Sequence, residues 1–215
     1  TYPAIASTDE ANKIIESDDF LLQLPPIKII TSCPVLVANS AGNLVEIAGY
    51  DRESGIYAQG KPTIPCSVEE ARVLLDELLS DFDFVSPGDK SRALASIISP
   101  ALAMGGLIKG RIPMDLCEAD DSQAGKGFKN KLIVCVYGER ISLVNKSKSG
   151  IGNLDEALDS ALMRGRPFVS LDNIRGKIDS QKLESLLTES YYQARSAFKP
   201  FVEIHSSNYV FMMTS

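Results

Sequence analysis

The stretch that most limits how this chain can fold is residues 112–128, IPMDLCEADDSQAGKGF. Ile112, Met114 and Leu116 alternate with other residues as in a strand, a polar turn follows, and Gly125-Lys126-Gly127 leads into a helix-like stretch, Phe128 to Tyr137. A strand, a Gly-Lys loop and a helix, in that order, are the setting in which a phosphate-binding loop works. Backbone N–H groups and a helix N-terminus face a polyphosphate, and one lysine reaches its outer oxygens. The match is short. In G-x-x-x-x-G-K-[ST] the first glycine would fall at Asp120 and the Mg²⁺-holding hydroxyl at Gly127. A surface turn with a solvated lysine has the same three residues, so the stretch alone leaves both readings open.

Two later runs bear on that choice. Residues 167–173, PFVSLDN, form an apolar run closing on Asp172. A buried strand that ends in a carboxylate is one way to present a ligand to Mg²⁺ beside a phosphate loop; the plainer alternative is a carboxylate capping the turn that follows. Residues 208–215, NYVFMMTS, read as a third buried strand with a polar end. Three apolar strands, each delivering polar groups at its C-terminal end, describe one active edge of an open α/β sheet.

Bulk properties narrow the classes. A chain of 215 residues has room for one sizeable domain, or one with a small appendage, and 44% apolar and 23% charged residues are ordinary for a globular chain. A net charge of −6 leaves no global footprint for nucleic acid, so any such contact must be local and basic. Cys33, Cys66, Cys117 and Cys135 are scattered without C-x-x-C spacing, and His205 stands alone, which argues against a zinc site and for reduced thiols in a cytoplasmic protein. No run reaches the roughly 18 apolar residues of a membrane span, and no signal-peptide pattern is present. A start at Thr1 and an end on a core strand read as a piece of a longer protein.

Taken in order, residues 1–26 are polar and form an arm or linker, with a short helix over Ser7–Glu16. Residues 27–66 are a small β-rich segment, expected as a meander of IKIITS, PVLVAN, LVEIAGYD and IYAQG. Residues 67–215 are the core. Ser67 and Glu70 have capping-box spacing for a helix that puts Ala71, Leu74, Leu75, Leu78 and Leu79 on one face. A second helix, Asp89 to Met104, is apolar enough to pack deep in the core. After the Gly-Lys loop and its helix come strand Ile141–Asn145, loop KSKSGIG (146–152), helix Leu154–Met163, the Asp172 strand, a helix opened by Asp179-Ser180, and strand Phe201–Ile204. This strand–helix alternation predicts a parallel sheet with helices on its faces. The 146–152 loop is either a solvated turn or, through Lys146 and Lys148, a contact for a phosphate backbone.

DDSQAGKGF, RPFVSLDNIRG, LLTES, Arg195 and the terminal FMMTS, in that order, resemble the ATPase domain of AAA+ proteins, above all the phage- and plasmid-type primase–helicases. The likeness spans residues 82–215, with 27–81 as a commonly associated preface. It implies an AAA+-like P-loop NTPase fold and a replication-type motor, a helicase or translocase that binds ATP and Mg²⁺, hydrolyses ATP and acts on single-stranded DNA or RNA. It further implies that Lys126 binds the β/γ-phosphates and that Ser122, Gln123, Ala124, Gly125, Gly127 and Phe128 complete the nucleotide loop. Asp172 would hold Mg²⁺, and Asn173 would stand where the family has the glutamate that polarises the attacking water. Arg195 would act across a subunit boundary in a homo-oligomer, possibly closed as a ring with the 146–152 loop at its lumen. Two departures matter. Gly127 has no hydroxyl, and Asn173 can orient water but cannot accept its proton. They keep open a nucleotide-dependent assembly module with little or no turnover. Gly-Lys-Gly alone also suggests a small-molecule kinase, against which no Arg-rich lid follows the core. Arg195 as an ordinary surface ion-pair partner and His205 as a structural histidine are the plainer readings of those residues.

Overall fold

The computed structural model describes residues 6–108, 110–119, 125–145, 154–172, 174, 176–195 and 201–215. Two short helices come first, α1 (Thr8–Ile15) and α2 (Asp18–Leu21), each capped by a serine, Ser7 and Ser17, that accepts from a first-turn N–H. Five short strands follow: β1 (Ile29–Thr31), β2 (Val35–Ala38), β3 (Leu44–Ile47), β4 (Gly49–Asp51) and β5 (Ile56–Ala58). They do not form the expected meander. β2 and β3 make an antiparallel hairpin, whereas β1 lies parallel to β5, which pairs antiparallel with β4. Gly49 is where LVEIAGYD divides. Its φ of 94° is a left-handed backbone that turns the chain out of the hairpin and hands β4 to β5.

This β-rich segment is bonded to the rest of the chain. Ile29, Val35, Ile47, Ile56 and Ala58 are buried in the same apolar cluster as Leu158, Val169 and Phe211. The Ile30 N–H donates to the Gly165 carbonyl. The Glu139 carboxylate, fully buried, accepts from the Ser32 N–H and from Arg166 at 3.3 Å, and Arg166 also reaches Ser32 Oγ.

Helix α3 (Val68–Leu78) carries the capping box expected of Ser67 and Glu70, but none of its own residues is buried; only Leu79, at its C-cap, is. Helix α4 (Pro87–Met104) begins before Asp89, with Ser86 as N-cap and Pro87 in the first turn. Ala93, Ile97, Pro100, Ala103 and Met104 are its buried face. Pro100 has no N–H to give the helix ladder. Beside it the Tyr137 hydroxyl accepts from the Ala101 N–H at 3.1 Å and donates to the Ile97 carbonyl at 2.5 Å, spanning the loosened turn.

The remaining elements are β6 (Asp115–Cys117), α5 (Lys126–Val136), β7 (Ser142–Asn145), α6 (Leu154–Leu162), β8 (Phe168–Asp172), α7 (Gln181–Thr188), β9 (Tyr191–Ala194), β10 (Val202–His205) and β11 (Val210–Thr214). β6, β11, β8 and β7, in that spatial order, form a four-stranded sheet, parallel throughout. Side chains alternate across it. Phe168, Val210 and Met212 pack with Ala93, Ile97, Ile133 and Val134 of α4 and α5; Val169, Leu171 and Phe211 pack with Leu158, Leu162, Leu183 and Leu186 of α6 and α7. The molecule is therefore an α/β fold with helices on both faces of a parallel sheet. The path crosses from β6 to β7 with α5 on one face and returns with α6 and α7 on the other, as right-handed crossovers demand when direction reverses.

Two expectations change here. The apolar run from Ile112 is strand only at 115–117, where β6 is an edge and Leu116 is half exposed. YYQAR, read only for its arginine, is a strand: β9 pairs antiparallel with β10 in a separate two-stranded sheet. Among the described residues no helix is long and apolar enough to cross a membrane.

Candidate functional site at the sheet edge

Parallel strands end together, so the C-terminal ends of β6, β11 and β8 lie side by side. Register pairs Cys117 with Thr214, and Met213 with Leu171. The alternation that puts Met212 and Ser170 under α5 puts Thr214 and Asp172 on that same face. Backbone bonds carry the pairing past the strand ends, from the Ile174 N–H to the Thr214 carbonyl and from the Ser215 N–H to the Cys117 carbonyl.

Helix α5 starts over this edge. Gly125, its N-cap, takes φ 85° with no side-chain cap, leaving first-turn N–H groups without a side-chain acceptor. Lys126 is the first helical residue, and its ammonium donates to the Ala119 carbonyl at 3.3 Å, back across the loop. Gly127 follows with open space where a Cβ would stand. Phe128 is 64% exposed. The helix is held down by two polar contacts. Lys129 pairs with Asp115 of β6 at 2.6 Å, both mostly buried, and Asn130, 1% exposed, donates to Ser170 Oγ of β8 at 3.5 Å. The Asn130 carbonyl oxygen is the one buried side-chain polar atom without a partner among the described residues.

Asp172 closes β8, and Thr214 Oγ1, one strand over, donates to its carboxylate at 2.7 Å. Cys117, on the third strand, lies near Lys129 and Lys126; burial pushes its thiol up more than those two cations pull it down. The structure thus brings Lys126, Asp172 and Thr214 to one edge. Neither a protein-family model nor a curated protein sequence matches this chain, so what the edge does rests on its own chemistry.

That chemistry suits a polyphosphate. It offers N–H groups at a helix N-terminus, one ammonium on that helix, and one carboxylate on a neighbouring strand for a hard cation. Mg²⁺ keeps several waters and takes one or two carboxylates together with phosphate oxygens, so Asp172 alone matches its needs where Gly127 offers no hydroxyl. Ser122, Gln123, Ala124, Asn173, Lys146 and Lys148 lie outside the described residues. Arg195 is not brought to this edge through any contact. It ends β9 in the separate sheet, exposed, with its guanidinium 5.4 Å from the Phe201 ring centre. His205, its neighbour on that sheet, stacks against Tyr191 at 4.3 Å. Sequence reasoning did not find the Lys129–Asp115 pair or Asn130. A cation and an amide following Lys126 on an otherwise apolar helix were the available signal.

Proposed function

We propose that this chain is a P-loop core of the AAA+-like kind that binds ATP with Mg²⁺ and hydrolyses it in a replication-type motor acting on single-stranded nucleic acid in the cytoplasm. One observation carries the reading: β11 lies between the Gly-Lys strand and the acidic strand, with Thr214 bonded to Asp172 on the face that α5 covers. In this reading Lys126 leaves the Ala119 carbonyl for the β/γ-phosphates, the N–H groups of the loop form the cradle, and Asp172 holds the cation directly or through water. Mg²⁺, when bound, supplies charge neutralisation at the outer phosphates. Asn173 orients the attacking water. Arg195 serves a neighbouring subunit of a homo-oligomer, and Lys146 and Lys148 meet the nucleic-acid backbone.

The test is ATP binding and turnover with and without single-stranded DNA, for the wild type and Lys126→Ala. DNA-stimulated hydrolysis that the substitution abolishes is the expected result. Tight binding without turnover would favour the assembly module, a reading supported by Gly127, where a hydroxyl-bearing side chain has room and none is used. Absence of nucleotide binding overturns both. Replacing Lys146 and Lys148 together is expected to weaken nucleic-acid binding and to reduce its log–log salt slope by roughly 2, since each lost phosphate contact removes about 0.9; an unchanged slope removes that loop from the interface.

A further inference from the structure

Three phenylalanines form a row beside the Gly-Lys loop. Phe84 stacks on Phe82 with ring centres 5.9 Å apart, and Phe82 on Phe128 at 6.1 Å, with interplanar angles of 25° and 29°. The inner two are partly buried against the α4–α5 cluster. Phe82 also lies against the loop: a Cβ added at Gly125 would stand 3.9 Å from its ring. The outer ring, Phe128, is 64% exposed although it sits in the first turn of an otherwise half-buried helix. A large ring held in line by two others and left open to solvent is unfavourable unless something covers it.

Helix geometry says what could. At 3.6 residues per turn, Lys126 and Asn130 share a side, and Asn130 faces the sheet at Ser170. Phe128, two residues after Lys126, projects from roughly the opposite side. A nucleotide whose phosphates occupy the helix end and the strand-end carboxylate must carry its base away from the sheet, and Phe128 stands on that outer side.

We infer that the Phe84–Phe82–Phe128 row is the base platform of the nucleotide site, and that the site takes nucleoside triphosphates as a class, by stacking, without reading the base. The inference rests on the phosphate-loop reading above. Every base has a π face, and phenylalanine rings offer no donor or acceptor to distinguish one base edge from another. Purines therefore bind more tightly than pyrimidines, and ATP and GTP bind alike.

Competition binding with ATP, GTP, CTP, UTP and inorganic tripolyphosphate tests this in the wild type, Phe128→Ala, Phe128→Leu, Phe128→Tyr and Lys126→Ala. Phe128→Ala is expected to weaken all four nucleotides about tenfold, the scale of one lost base–aromatic stack, and to leave tripolyphosphate unchanged. Phe128→Tyr retains affinity, whereas Phe128→Leu, apolar without a π face, does not. Phe128 is exposed, so these variants keep the fold. Nucleotide affinity unchanged in Phe128→Ala, tripolyphosphate weakened equally, or ATP preferred strongly over GTP would each overturn the platform while tripolyphosphate binding sensitive to Lys126→Ala keeps the phosphate loop. Failure of both tripolyphosphate and ATP to bind the wild type overturns the loop itself, and the platform with it.

Discussion

At the scale of single residues, the site depends on how Asp172 is held. Its carboxylate ends a strand over open solvent, and the Thr214 hydroxyl fixes one of its oxygens. Thr214→Val keeps the shape of a side chain that is 4% exposed and removes only that donor. We expect the fold to persist and ATP turnover to drop about tenfold, the equivalent of one hydrogen bond to a charged group. ATP affinity without Mg²⁺ should be unaffected; equal losses with and without the cation would mean that Thr214 matters only for packing. Lys126 and Asp172 were legible in the sequence because their chemistry needs those residue types after apolar runs. The aromatic row was not. Phe82 and Phe128 lie far apart in the chain, on elements with different hydrophobic periods, and only the packing of α4 against α5 aligns them.

At the scale of elements, the second half of the chain was readable because each buried strand is a short apolar run and each helix shows its own capping or periodic signal. PFVSLDN became β8 and NYVFMMTS became β11 almost residue for residue. The β-rich segment was less legible, since strands of three and four residues carry too little pattern to fix partners. Strand β9 was missed because Tyr191 and Gln193 face solvent and only Tyr192 and Ala194 are buried. Long-range contacts that hold elements together left still less trace. Tyr137→Phe is expected to cost about 2–3 kcal/mol in urea unfolding, because it strands the Ala101 N–H and the Ile97 carbonyl next to Pro100. A cost below about 0.5 kcal/mol would mean that the helix closes its own ladder there. Gly105→Ala tests the junction of α4 with the β2–β3 hairpin. Its new methyl would stand 1.8 Å from the Leu36 carbonyl oxygen, a backbone atom that cannot swing aside. The hairpin must shift, at a cost of roughly 1–3 kcal/mol, and amide exchange in Val35–Ala38 should quicken more than in β8.

At the scale of the whole molecule, three phenols tie layers together and set an upper pH limit. Tyr137 of the α5 C-cap reaches α4, Tyr209 donates to the Leu162 carbonyl at the end of α6, and Tyr192 of β9 donates to Asp159 in α6 at 2.6 Å. Lys182 of α7 takes the other oxygen of that aspartate, so the β9–β10 sheet, α6 and α7 meet at one buried carboxylate. Burial raises Tyr137 and Tyr209 to about 12 from an ordinary value of 10.0. Tyr192 is raised further, first by burial and then by its bond to the Asp159 carboxylate. An unfolded chain loses these protons near pH 10 while the folded chain keeps them, so above that pH the native state binds more protons and stability falls as pH rises. The contribution is complete below pH 10 and is lost as pH climbs through about 12. For Tyr209, only 3% exposed, it amounts to about 2–3 kcal/mol. Urea midpoints should therefore hold steady to about pH 10 and then drop steeply, with part of the tyrosinate absorbance arising only in the unfolding step. If all the tyrosines titrate together before unfolding, these phenols are not the ties between layers described here.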